Sequence, residues 1–150
     1  MNNDDLVDTL NKLVETCKDG EYGFRLGSEH LRDAGMRQAF AHRASECGLA
    51  AVELQSIVLR FGGTPEDSGT VDGALHRGWV AVKGSLTGYT DVAILEETER
   101  GEDEALAAYR EALAQPLPPD VREVVERQFE GVKTNHAHVR TLRDQTRTMA

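Results

Sequence analysis

The residues EETERGE, 96–102, place four glutamates in seven positions of a segment with helical periodicity. Most acidic runs of this kind are solvated helix faces, so the informative question is which carboxylates share the apolar stripe. Val92, Leu95, Leu106, Tyr109 and Leu113 recur in alternating steps of three and four, as the buried face of a helix does. Continuing those steps from Leu95 to Leu106 lands on Glu99 and Glu102. Two carboxylates are therefore expected at inward positions, whereas Glu96, Glu97, Asp103 and Glu104 fall on the expected solvent face. In the last helical segment Val125, Phe129, Val132, His136 and Val139 share one stripe, which turns His136 inward and His138 outward. Gln128 sits at the edge of that stripe. Arg43, Glu46 and Glu53 flank the apolar stripe of an earlier segment, each close enough to lean toward the same core.

A lone buried carboxylate costs several kcal/mol unless it is protonated or paired. Two of them one helical turn apart repel each other, so a cation is expected between them. Arg43, protonated His136 and a metal ion are the three possibilities. The same side chains thus admit two readings. One is a salt-bridged polar layer that fixes helix register. The other is a metal site in which Glu53, Glu99 and Glu102 supply oxygens and His136 a nitrogen, a ligand set suited to iron, manganese or zinc. No glycine-rich phosphate loop, Ser–His–Asp arrangement or metalloprotease motif accompanies them.

The elements that must position these residues are helices. Leu6, Leu10, Leu13, Cys17, Gly20, Phe24, Gly27 and Leu31 mark one face of a helix predicted over 3–33. Its Gly20 and Gly27, each costing roughly 1 kcal/mol against alanine, are expected to admit a close neighbour. A turn at Asp33-Ala34-Gly35 leads to a second helix over 36–61, with Met36, Phe40, Ala44, Cys47, Ala51, Leu54, Val58 and Phe61 inward. Gly62-Gly63-Thr64-Pro65 ends it. The helical reading from Thr70 to Ala114 would span about 67 Å, against about 40–45 Å for the other helices. Gly84, Gly88 and the Thr-Gly-Tyr-Thr-Asp turn divide it into a short helix over 71–86 and a main helix over 90–114, capped at Thr90 or Asp91. Trp79, with Leu75 and Val82, is expected to anchor the short helix. Residues 62–89 are long enough to travel the length of a bundle, which makes the second and third long helices parallel. Gln115-Pro116-Leu117-Pro118-Pro119-Asp120 then gives a short connection to a last helix over 119–146.

The 150-residue length matches one domain over 1–150, with a core of about 3–146. A formal net charge of −9 argues against nucleic acid and anionic membranes as partners, since both demand clustered Lys and Arg. No apolar run approaches a membrane span. The start MNNDDLVDTLNKL has no basic region followed by an apolar stretch, which points to the cytoplasm. Cys17 and Cys47 are then expected to be reduced, packed thiols. His30 and His42 are isolated and expected at the surface.

DGEYGF (19–24), VEL (52–54), GALHRGW (73–79), ILEETERGEDEALAAY (94–109), LPPDV (117–121) and the end from His136 to Arg143 together resemble a bacterial ferritin-like family classed as a domain of unknown function. The resemblance spans roughly 5–143 and implies an all-α ferritin-like four-helix bundle with a crossover; it implies no established activity. Di-iron ferritin-like proteins draw one Glu from each of two helices and a Glu-x-x-His from each of the others. Here Leu49, Ser56, Phe129 and Lys133 stand three residues after Glu46, Glu53, Glu126 and Glu130, so that motif is absent from the second and last helices. The expected function is accordingly a non-catalytic interaction or stress-associated bundle, self-associating through a helix face, with a dimer the favoured assembly. The alternative is a metal-binding ferritin-like protein or oxidase that uses the Glu53, Glu99, Glu102 and His136 set.

Overall fold

A computed structural model describes residues 1–69 and 74–149 and contains five helices among them. These are α1 (Asn3–His30), α2 (Ala34–Arg60), α3 (Ala74–Lys83), α4 (Asp91–Leu113) and α5 (Pro119–Met149). The start of the expected short helix, 71–73, and the side chain of Leu75 lie outside the described residues.

Side-chain caps define three of the helix starts. Asn2 accepts from the amide of Asp5, Asp33 from Met36 and Thr90 from Ala93, each satisfying a donor the helix itself leaves free. The Asp33 cap corrects the expected boundary between the first two helices. Leu31 and Asp33 are extended, so α1 stops at His30, and Ala34 and Gly35 already belong to the first turn of α2. Capping by Asp33 outweighs the glycine that marked position 35 as a turn. At the other end of α2, Gly62 takes φ 81°, the left-handed conformation its sequence context called for. Asp91 accepts from the backbone amide of Arg32, tying the α1–α2 turn to the start of α4. The last helix runs three residues beyond its expected end, where Arg147 pairs with Glu96 at 2.9 Å.

The direction of each helix follows from which of its residues meet in the core. One apolar cluster joins Leu6 to Cys17 of α1, Ala51 to Val58 of α2, Leu106 to Ala112 of α4 and Val121 to Val132 of α5. A second joins Phe24 and Leu31, Phe40 to Cys47, Ile94 and Leu95, and Val139, with Trp79 of α3. The first cluster thus takes the beginnings of α1 and α5 and the ends of α2 and α4; the second takes the opposite ends. Helices α1 and α2 are antiparallel, α2 and α4 parallel, and α4 and α5 antiparallel. This is the crossover bundle expected from the length of 62–89.

Helix α1 packs closely on α2 and on α4, whereas α2 and α5 touch sparsely. Gly27 shows why the first contact is tight: a Cβ there would lie 2.5 Å from a Phe40 ring carbon and 3.4 Å from Ile94. Phe40 is buried and stacked edge-on against Phe24 at 5.1 Å, so its ring has nowhere to go. Gly27→Ala is therefore expected to destabilise the protein by about 1–2 kcal/mol in denaturant titration, overpacking outweighing the gain in helix propensity of roughly 1 kcal/mol. A stabilised variant would contradict this close approach.

Candidate functional site in the bundle core

Helix α4 turns Ile94, Leu95, Thr98, Glu102, Leu106, Tyr109 and Ala112 into the core. Glu102 is buried as expected, at 5% exposure. Asn135 of α5 donates to its Oε1. Burial raises the Glu102 carboxyl to about 7, and the Asn135 hydrogen bond, Arg43 and His136 only partly counter that cost. Arg43 enters from α2 with its side chain 13% exposed and lies 3.7 Å from Glu46. Burial works against its charge, but acidic Glu102 and Glu46 nearby keep its proton held more tightly than usual.

The other candidate ligands face elsewhere. At about 100° per residue Glu99 lies some 60° around α4 from Glu102, which carries it to the seam with α5. There Arg143 binds it and Arg140 approaches to 3.6 Å. His136 is buried, but its Nε2 meets Oδ1 of Asp103 at 2.6 Å. Asp103 is otherwise exposed, as its position off the stripe predicted. Glu53 accepts from Arg127 at 2.5 Å and from Gln128 Nε2 at 2.8 Å, on the α2–α5 side. So the structure brings Glu102 near Arg43 and His136, and it separates Glu53 and Glu99 from them by giving each its own partners. Among the described residues no three His, Cys, Asp or Glu side chains gather closely enough to hold a metal ion.

A second polar chain crosses the core beside Glu102. The Tyr109 hydroxyl lies 3.2 Å from Cys17 Sγ and donates to Gln128 Oε1 at 2.8 Å, and Gln128 passes the chain to Ala50 O and Glu53. It links α1, α4, α5 and α2 in turn. Burial pushes the Cys17 thiol up to about 11 and Cys47 up to about 12, so both remain neutral and unreactive. Between these groups lies a cavity of about 680 Å³, lined by residues of all five helices.

Residues 5–115 match a family described as a domain of unknown function, DUF2383. The chain belongs to that family. Among curated proteins none matches this DUF2383 chain. Its fold is ferritin-like. A ferritin-like diiron-carboxylate protein from Bacillus anthracis superposes with a TM-score of 0.74 at 15% identity, covering 94% of this chain and 96% of that one. A point mutant of Mycobacterium smegmatis Dps1 gives 0.74 at 14% identity, over 94% and 96%. Dps from Staphylococcus aureus gives 0.73 at 18%, over 95% and 97%. At such identities the likeness concerns the fold alone.

Several residues of the DUF2383 core escaped the sequence reading. Asn135 and Asp103, which engage Glu102 and His136, lie off the apolar stripes and have no periodic signal. Thr98 is buried because its hydroxyl bonds back to Ile94 O at 2.7 Å, which lets a polar residue occupy a core position. Glu97, expected on the solvent face, is instead largely covered: its side chain is 11% exposed beneath Arg100, which binds it at 2.5 Å. Tyr109 was legible as an inward residue, but its hydroxyl chain was not. His42 and His138 are exposed as expected, and His30 bonds at the surface to Leu26 O. No helix among the described residues is long and apolar enough to cross a membrane.

Proposed function

We propose that this DUF2383 chain is a non-catalytic ferritin-like bundle that acts by association, its interior glutamates and histidine forming a structural polar layer. The observation that carries this reading is the separate engagement of the four candidate ligands. Glu99 is held by Arg143, Glu102 by Asn135, His136 by Asp103, and Glu53 by Arg127 and Gln128. A carboxylate–histidine centre for iron, manganese or zinc would require at least Glu99 and His136 to abandon those partners and converge. The residues present therefore do not fit such a centre.

The surface for association is the outer face of α2. Leu49, Val52 and Leu59 are exposed there at 71%, 56% and 64% and recur at helical spacing. Acidic Glu46 and basic Arg60 flank the stripe near its two ends, so a second copy laid antiparallel across Val52 about a two-fold axis would set unlike charges together. This favours an isologous dimer.

Protein purified without chelator is expected to carry no stoichiometric transition metal and to sediment as a dimer, with Val52→Glu and Leu59→Glu shifting it to monomer. Stoichiometric iron, manganese or zinc that disappears in Glu99→Ala or His136→Ala would overturn the structural reading of the layer. A monomeric wild-type protein would overturn the proposed association.

A further inference from the structure

We propose that the central cavity is a binding site for an uncharged, largely apolar small molecule that carries a carbonyl or ether oxygen. Its volume of about 680 Å³ falls within the usual span of small-molecule pockets, roughly 300–1,000 Å³. Three observations give the class of ligand. The walls are mostly hydrocarbon, with Phe24, Ala50, Trp79 and Val132 among them. Two buried donors on those walls have no acceptor among the described residues: the indole Nε1 of Trp79, whose residue is 1% exposed, and Nε of Arg43. Unpaired buried donors are costly and rare in native proteins, and an oxygen acceptor on a bound molecule would satisfy both. Finally, acidic Asp19, Glu46, Glu53 and Glu104 border the cavity and outnumber the two arginines on its wall, Arg43 and Arg127, which opposes entry of an anion.

Backbone architecture explains why the room exists here. Helices α2 and α5 meet sparsely, and Gly20, Gly23 and Gly131 line the cavity with no side chains of their own. Gly23 lies directly against the indole: a Cβ there would approach Nε1 to 3.1 Å. A larger residue at 23 would obstruct the donor.

Trp79 is the only tryptophan of the chain, so its emission reports on the cavity directly. The test is a fluorescence titration of the full chain with Nile red, an uncharged probe with a ring carbonyl, and in parallel with the anionic probe 1-anilinonaphthalene-8-sulfonate. Nile red is expected to bind one per chain, with blue-shifted emission and quenching of Trp79. Ala50→Leu, which narrows the cavity, and Trp79→Phe, which keeps an aromatic ring but removes the N–H, are each expected to weaken Nile red binding at least ten-fold, with cooperative melting retained. The anionic probe is expected to bind at least ten-fold more weakly than Nile red. Absence of saturable Nile red binding, or binding that neither substitution weakens, would overturn the site; tighter binding of the anionic probe would overturn the ligand class. Neither metal content nor sedimentation enters these readouts, so the site and the association reading fail or stand separately.

Discussion

Glu102→Gln is expected to raise the stability of the protein at pH 8 by about 3 kcal/mol and to change it little at pH 4. The carboxyl stands at about 7 in the folded chain against an ordinary value of 4.5, chiefly because it is buried. A group whose folded pKa lies above its unfolded one binds its proton more tightly when folded. Its favourable contribution is complete below about 4.5 and is lost as pH rises through about 7. Above that, the folded state must hold a carboxylate that water would solvate better, at a cost of about 1.4 kcal/mol per pKa unit. Glutamine keeps the carbonyl that accepts from Asn135 and removes the charge. For a chain of this size the gain corresponds to roughly 6–12 °C in melting temperature. Glu102→Ala is expected to be less stable than Glu102→Gln at every pH, since it leaves the Asn135 amide without its acceptor. Melting curves of wild type and Glu102→Gln between pH 4 and 8 check this, because their difference cancels the other titrating groups. A difference that does not grow with pH would mean that Glu102 is already comfortably ionised in the folded chain.

That expectation also shows how far periodicity reaches into a site. The three-four stepping identified Glu102 and His136 as inward, because each continues an apolar stripe, between Leu95 and Leu106 in the first case and between Val132 and Val139 in the second. It counted Glu99 with them because a strict seven-residue repeat treats both stepping positions alike. In a straight α-helix they differ by about 60°, and α4 spends that difference on the α5 seam, where Arg143 waits. The partners were harder to see. Asn135 and Asp103 earn their places by reaching across from one helix to the next, and nothing in the local pattern of either helix marks them. The topology was more legible than the site, since it followed from lengths and breaks: Gly62-Gly63-Thr64-Pro65 ended one helix, and the residues up to Thr90 could only return along the bundle. Asp33 shows the opposite case, in which a cap decided a boundary that glycine appeared to mark.

Trp79→Ala is expected to cost about 3–5 kcal/mol, the usual loss for truncating a fully buried tryptophan. The indole is 1% exposed, packs into the second apolar cluster with Phe24, Phe40 and Ile94, and meets the Tyr89 ring at 6.4 Å. Among the described side chains of α3, Trp79 is the buried one. Val80 is exposed, Val82 only half-buried, and α3 touches little beyond α1 and α4. Among the described residues the ring is therefore the main apolar anchor of the crossover, in the role its sequence position suggested. Two readouts separate this role from ordinary core packing. Denaturant unfolding gives the total loss, while limited proteolysis under native conditions follows release of the crossover, expected as faster cleavage at Arg77 or Lys83 in the variant. Trp79→Phe fills most of the same space and is expected to restore most of the stability and the protease resistance. A loss below about 1 kcal/mol with unchanged cleavage would show that the crossover is held by something other than this ring.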